Sequence, residues 1–326
     1  MEIVLNSYGV SLNRDNEAFV IKSDEGKQRV PPQGIKSILI GKGSQITSDA
    51  IMLAVENEIE VIFSDKAGNV VARVWSPKYG SISTIRKGQL NFTSSHAAVD
   101  WIKDVICQKI ENQQALMLSL IENEALKDKV SKSINKLESL RKKIKDTDSD
   151  QVRDIAPSLR GFEGQASKAY FTTMNYILPE KLRFKERSQH PAKDAANALL
   201  NYGYGLLYGK IESALIRAGI DPYIGIMHRD NFNRPVLVYD VIELYRVWID
   251  YVVYNLMAQG AVNDEFFSVK EDGSCWLEPL GRRILIQSVN DYMEDKIQYN
   301  GQMHSRSYVL DDYAFKLAKT FKKHEK

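Results

Sequence analysis

Ser94-Ser95-His96-Ala97-Ala98-Val99-Asp100-Trp101-Ile102-Lys103-Asp104-Val105-Ile106-Cys107-Gln108-Lys109-Ile110 is the stretch in which the texture of the chain changes. Trp101, Ile102, Val105, Ile106 and Ile110 recur at three- and four-residue steps, the period of an amphipathic helix. The residues before it read differently. Glu2 to Asn6, Ala18 to Lys22, Ile35 to Ile40, Val61 to Ser64 and Val70 to Trp75 are short runs rich in β-branched or aromatic residues. Turn formers separate them: Asn13-Arg14-Asp15-Asn16, Asp24-Glu25-Gly26, Pro31-Pro32 and Ala67-Gly68-Asn69. One helix interrupts these strands, from about Ser48 to Asn57, with Ile51, Leu53, Ala54 and Val55 as its apolar side. The change near Arg86 predicts an α+β protein. An N-terminal β-rich domain over residues 1–86, the candidate dimerisation domain, precedes a larger all-α domain over residues 87–326, the candidate catalytic domain.

Downstream, Val130, Ile134, Leu137 and Ile144 mark a second helix, and Lys145 to Gln151 is a polar break. Further helices are expected from about Asp154 through Met174 and from Ala192 to Arg217, the latter stopped by Gly219. A fifth starts near Pro235, which suits a first helical turn, and ends before Gly260. Two more are expected over Glu278 to Glu294 and Tyr308 to Lys323. There is no internal repeat and no low-complexity segment.

Composition excludes several classes. With 326 residues, 44% of them apolar and 26% charged, the chain reads as an ordinary soluble protein of two domains. No window approaches the roughly 18 unbroken apolar residues of a membrane span, so no membrane partner is expected. Met1 to Leu12 has no basic leader, and the expected location is the cytoplasm. The two cysteines, Cys107 and Cys275, exclude a disulfide framework and a Cys-rich zinc site. Cys107 reads as core, and Cys275 follows a turn at Asp272-Gly273. A net charge of +2 does not demand a nucleic-acid partner. Lysines nevertheless crowd two stretches, Lys127 to Lys145 and Lys316 to Lys326, either as solvated helix faces or as contacts to phosphate.

Three segments carry candidate chemistry. In Leu159-Arg160-Gly161-Phe162-Glu163-Gly164-Gln165-Ala166, two glycines flank an acid within one helical pattern. Each costs the helix roughly 1 kcal/mol against alanine, which suits a place where backbone or ligand comes close. Tyr170 follows Glu163 on the same face two turns later. In Ala218-Gly219-Ile220-Asp221-Pro222-Tyr223-Ile224-Gly225-Ile226-Met227-His228, glycines and a proline fix a loop that presents one histidine. In Pro235 to Arg246, Leu237, Val241, Leu244 and Trp248 form an apolar stripe, with Asp240 and Glu243 three apart beside it. Two partly buried acids repel unless compensated. A divalent cation would compensate them, and so would Arg246 at i, i+3 from Glu243. Spacing alone does not choose between Asp240 and Glu243. Together the segments offer one imidazole and two or three carboxylates, a donor set for Mn²⁺ or Mg²⁺, with the imidazole favouring Mn²⁺.

In order and spacing these segments resemble the CRISPR-associated spacer-acquisition integrase and endonuclease family, Cas-one. The matching residues are Gly161 to Tyr170; Phe184, Arg187, Asp194 and Asn197; Gly219 to His228; and Asp240, Glu243 and Arg246. The similarity covers nearly the whole chain. One departure is His190-Pro191, where the family often has two prolines. The resemblance implies that Glu163, His228 and Glu243 hold the metal, with Asp240 beside them as a further catalytic acid. It also implies the reaction: the 3′-hydroxyl of a short DNA fragment attacks a phosphodiester at a CRISPR repeat boundary. The implied partners are double-stranded DNA (prespacer and CRISPR repeat), a second copy of the chain in a homodimer, and a small Cas-two dimer that two such dimers bridge in a heterohexamer.

The residues agree with direct phosphoryl transfer, which needs no protein nucleophile. The tyrosine-nucleophile route would need a His-x-x-Arg set, and neither His228 nor His304 has an arginine three residues later. Arg160, Lys168, Arg183, Lys185, Arg187 and Arg246 are close in sequence to the site segments and are candidates to hold backbone phosphate. Two other readings compete: a general metal-dependent DNA repair nuclease and a non-catalytic DNA-binding scaffold.

Overall fold

The computed structural model describes residues 2–24, 26–35, 37–65, 70–74, 82–120, 124–189, 191–228 and 234–325. Glu25, Lys36, the Ala67-Gly68-Asn69 turn, Trp75 and His190, all used in the sequence reading, lie outside them. The chain separates into two compact units, Met1–Gly80 and Ser81–Lys326.

The first unit runs β1 (Glu2–Leu5), β2 (Ser11–Asp15), β3 (Ala18–Ser23), β4 (Gly26–Val30), β5 (Ser37–Ile40), β6 (Gln45–Ile46), α1 (Ser48–Glu56), β7 (Glu60–Ser64) and β8 (Val70–Arg73). It holds two four-stranded sheets, ordered β1-β5-β7-β8 and β4-β3-β2-β6. In the first, β1, β5 and β7 are parallel and β8 returns antiparallel to β7. Period-two alternation puts Ile3, Leu5, Ile38 and Ile40 on the buried face, where they join Leu12, Phe19 and Leu53. The β2–β3 hairpin turns at Asn16, whose φ of 53° asparagine accepts more readily than most residues. Thr47 caps α1 by accepting the Ala50 N–H. Strands β2 and β4 escape a sequence reading because Ser-Leu-Asn-Arg-Asp and Gly-Lys-Gln-Arg-Val each bury a single side chain, Leu12 and Val30.

The second unit contains α2 (Ile82–Thr93), α3 (His96–Ser119), α4 (Glu124–Asp146), α5 (Val152–Ile177), α6 (Ala195–Arg217), α7 (Val236–Ile242) and α8 (Arg246–Ala258). These are followed by β9 (Phe267–Val269), β10 (Cys275–Leu277), α9 (Pro279–Glu294), β11 (Lys296–Tyr299), β12 (Gln302–Ser305) and α10 (Arg306–Lys322). Arg86, where the sequence reading put its boundary, lies inside α2. Helices α3, α4 and α5 pack on one another. Helix α6 is the central one: Ala196, Leu199, Leu200, Leu207, Ile211 and Leu215 are buried around it, as for a helix enclosed by neighbours. Among the described residues the expected all-helical texture holds except for two short antiparallel hairpins, β9–β10 and β11–β12.

The helix expected from Pro235 to Gly260 is two helices, interrupted at Glu243, Leu244 and Tyr245. Leu244 and Tyr245 make tight i to i−3 bonds to Val241 and Ile242. The Leu244 carbonyl leaves the ladder and accepts from the Asn112 side chain of α3 at 2.9 Å. A polar group from a distant helix thus satisfies the backbone that the break frees.

Candidate metal centre and DNA cavity

Each chemistry-bearing segment is held by a specific local device. The loop before α7 hangs on Gln89 of α2, which is fully buried and donates to the carbonyls of Asp221 (2.8 Å) and Ile224 (3.0 Å). Gln89 also accepts from the Asp221 N–H at 3.0 Å. Gly219 closes α6 with φ of 80°. At Gly225 the loop turns so tightly that a Cβ would lie 2.0 Å from the His228 carbonyl oxygen, so no other residue fits there without moving the backbone that carries the histidine. The loop then passes over Asp240, which is completely buried. Its carboxylate accepts the N–H groups of Ile226 (2.8 Å), Met227 (3.1 Å) and His228 (3.2 Å), and pairs with the His228 ring Nδ1 at 2.7 Å. That contact leaves Nε2 as the ring nitrogen not engaged by Asp240, the arrangement of a carboxylate-oriented metal ligand. Burial alone would lower the His228 pKa, but the Asp240 hydrogen bond and the charges of Asp240, Glu243 and Glu163 outweigh it and raise it.

Glu243 lies at the helix break and meets different partners. Its Oε1 accepts from Arg246 Nε at 2.9 Å. Its Oε2 is buried against the ammonium of Lys109, 2.5 Å away. The same ammonium donates to Glu163 Oε1, which also accepts from Ser167 at 3.3 Å. Lys109, from α3, is therefore the cation between the two acids, and its side chain is only 5% exposed. Burial works against its charge, but Glu243 and Glu163 overcome this and raise its pKa. Burial likewise works to raise the Glu243 carboxyl, but Arg246 and Lys109 bring it down to about 2.

These groups form part of the wall of a cavity of about 500 Å³. Lys168, Lys185, Arg187 and Arg246 add positive charge around it. Of the other cations expected near the site, Arg160 and Arg183 are not in that wall. The Phe184, Arg187, Asp194 and Asn197 motif is a clasp. Asp194 caps α6 through the Asn197 N–H at 2.8 Å, and Asn197 donates to the Glu186 carbonyl at 2.9 Å. Arg187 donates to the side-chain oxygens of Asn197 and, at 2.9 Å, Asn201. Deeper in the wall, Asp250 is fully buried and accepts from Tyr170 at 2.8 Å and from Tyr204. Burial pushes Asp250 up to about 6, against the pull of those hydroxyls and of Arg187 and Arg246.

Of the three acids and one histidine expected at the site, Glu163 and Glu243 share one cation, and both act electrostatically on the His228 ring that Asp240 holds. His228 is not part of the cavity wall, and residues 229–233 beyond it lie outside the described set. Among the described residues, no three His, Cys, Asp or Glu side chains already converge on one point. Sequence reasoning missed Lys109, Gln89 and Asp250.

Comparison with known proteins gives the family. The model for CRISPR associated protein Cas1 matches residues 3–291, and the chain belongs to that family. A CRISPR-associated endonuclease Cas1 of Archaeoglobus fulgidus is 30% identical over 324 residues, covering 95% of this chain and 93% of that one. The fold matches a CAS1 protein from Thermotoga maritima with a TM-score of 0.79 at 19% identity, over 98% of this chain and 96% of that one. It also matches a chain of a Cas6-RT-Cas1–Cas2 complex with a TM-score of 0.77 at 22% identity; there it spans 98% of this chain but 35% of the other.

Proposed function

We propose that the chain is a divalent-metal-dependent DNA endonuclease and integrase that inserts short foreign DNA fragments into a CRISPR array. The 3′-hydroxyl of the fragment attacks a phosphodiester of the repeat. The observation that carries this reading is the meeting of Glu163 and Glu243, from separate elements, on one cation at the wall of a basic cavity. Membership of the Cas1 family supports it.

The donor chemistry fits Mn²⁺ or Mg²⁺. Two carboxylates already share a cation, and His228 has its other ring nitrogen fixed by Asp240. Glu163, Glu243 and His228 would hold the ion, and when bound it supplies Lewis acidity toward the attacking hydroxyl and the phosphate. The rest falls to the chain. Asp240 sets the His228 ring, Arg246 orients Glu243, and Lys168, Lys185 and Arg187 offer charge to backbone phosphate. No protein nucleophile is required. Tyr170 and Tyr204 are unsuited to that role because burial, above all, raises both hydroxyls well above their ordinary range.

The partners in this reading are double-stranded prespacer and repeat DNA, a second copy of the chain docked through the first unit, and a Cas2 dimer bridged by two such dimers in a heterohexamer. That a chain similar in fold to this one belongs to a complex containing Cas2 supports Cas2 as a partner. In this reading the chain acts on DNA in the cytoplasm. Among the described residues no helix is long and apolar enough to cross a membrane.

The test is strand transfer of a short duplex with free 3′-hydroxyls into a plasmid bearing a CRISPR array, with Mn²⁺, Mg²⁺ or a chelator. Joining that requires metal and disappears in Glu163→Ala, His228→Ala and Glu243→Ala is expected, each loss at least about a thousandfold. Cleavage without joining would favour a repair nuclease, and binding without either would favour a scaffold.

A further inference from the structure

Lys109 is more than a neighbour of the two acids. It occupies an apolar-face position of α3, almost wholly buried, with its ammonium against oxygens of both Glu163 and Glu243. A divalent ion bound to those same oxygens at roughly 2.1 Å would come within a few ångströms of that ammonium, where like charges in a poorly solvated site repel strongly. One of the two cations must move. The lysine stem is flexible and ends in a compact charge, and Lys109 borders the cavity of about 500 Å³. One turn further along α3, Gln113 borders the same cavity. It is 2% exposed, and its Oε1 is buried without a hydrogen-bond partner among the described residues.

We infer that the Lys109 ammonium is a placeholder between Glu163 and Glu243, that a divalent cation binds by displacing it, and that it then swings toward Gln113 and the cavity. This rests on the metal-dependent reading above and adds a consequence to it. With Lys109 between the acids, the charges of Glu163 and Glu243 are balanced by Lys109 and Arg246. With the ion between the acids and the ammonium in the cavity, the site carries two further positive charges, which suit an incoming phosphodiester. Metal binding thereby prepares the site for DNA, and Gln113 offers the ammonium an acceptor until phosphate arrives.

The displacement can be read on the intact wild-type protein by reductive methylation with peptide mass spectrometry. Without metal, Lys109 should be protected relative to Lys168 and Lys185. With Mg²⁺ its methylation should rise by about tenfold or more, as expected when an ammonium leaves a buried ion pair. In parallel, Lys109→Met should bind Mn²⁺ roughly tenfold more tightly, measured from the free Mn²⁺ signal in electron paramagnetic resonance. Lys109 protection that is unchanged when Mn²⁺ or Mg²⁺ is demonstrably bound would overturn the inference while leaving the metal reading intact. Absence of Mn²⁺ binding to both proteins would overturn the metal reading, and the inference with it. If Lys109→Met does not fold without metal, the methylation of the wild type alone decides.

Discussion

Asp240 and Glu243 stand three residues apart, one inside α7 and the other where α7 ends. Both are buried acids, yet their surroundings differ in kind. Asp240 is engaged by the backbone: three consecutive N–H groups and one imidazole nitrogen take up its two oxygens. Glu243 is engaged by side chains, an ammonium and a guanidinium, each on a flexible stem. A carboxylate saturated by backbone donors belongs to the fold, because releasing it would strand buried N–H groups. A carboxylate neutralised by side-chain cations can exchange one cation for another. The difference has Asp240 holding His228 and fits the ligand role proposed for Glu243, a choice that spacing alone left open.

The comparison breaks most visibly if metal-induced stabilisation is measured on both sides of it. Asp240→Asn turns an acceptor oxygen into a donor facing N–H groups and should cost about 2–4 kcal/mol of stability in urea. It should reduce activity yet keep some of the stabilisation that Mn²⁺ confers. Glu243→Gln should lose that stabilisation altogether, which for wild type at a hundredfold excess over its dissociation constant is about 2.7 kcal/mol. The opposite pattern, with Mn²⁺ stabilising Glu243→Gln but not Asp240→Asn, would reverse the two assignments.

Asp250 sharpens the comparison as a third kind of buried acid, held by two tyrosine hydroxyls. Its folded pKa is about 6, raised from 3.8 mainly by burial. Because the folded form holds its proton more tightly, the contribution is full below about pH 4 and is lost as pH rises through about 6. That difference corresponds to about 3 kcal/mol. Unfolding titrations should therefore show wild type losing about 2–3 kcal/mol relative to Asp250→Asn between pH 4 and 7. Glu243, lowered from 4.5 to about 2 by its cations, acts with the opposite sign: its contribution is present above about pH 4.5 and is lost as pH falls toward 2. Parallel pH profiles for wild type and Asp250→Asn would mean that Asp250 is ionised throughout.

The sequence made legible what was periodic and local. Helices α3 through α6, α9 and α10 announce themselves by three- and four-residue spacing, and the Gly219 to His228 loop by its glycines and proline. The break at Glu243 is hidden because the stripe Leu237, Val241, Leu244, Trp248 runs straight through it, while its partner Asn112 lies 132 residues away. Strands β9 to β12 are hidden by their length, three or four residues each. Lys109 was hidden among ordinary lysines. A signal was nevertheless there: Ile102, Ile106, Lys109, Gln113 and Leu116 follow one apolar spacing, so a lysine and a glutamine stand where core residues are expected. Asp250 sits beside buried Ile249 and Val253 in α8, but its tyrosine partners are 46 and 80 residues away. Glu163 and Glu243 could be singled out as acids, but their sharing of one lysine is a property of the packing.

The smallest expected effect comes from α5, the helix that carries Glu163 opposite the break. Gly161 and Gly164 lie within its unbroken run, and a Cβ built on either meets no described atom within 4 Å. Helix packing therefore does not require these glycines, and replacing either by alanine should stabilise the fold by about 1 kcal/mol. Gly164 borders the cavity, whereas Gly161 does not. If DNA approaches the α5 backbone beside Glu163, the methyl of Gly164→Ala takes room from it, and strand transfer should weaken severalfold even as thermal stability rises. Gly161→Ala should show the same stabilisation with a smaller loss of transfer. Calorimetry and strand-transfer rates on the two variants separate the outcomes. A Gly164→Ala protein that is both more stable and fully active would show that the exchangeable side of the site, unlike the Asp240 side, has space to spare around its glutamate.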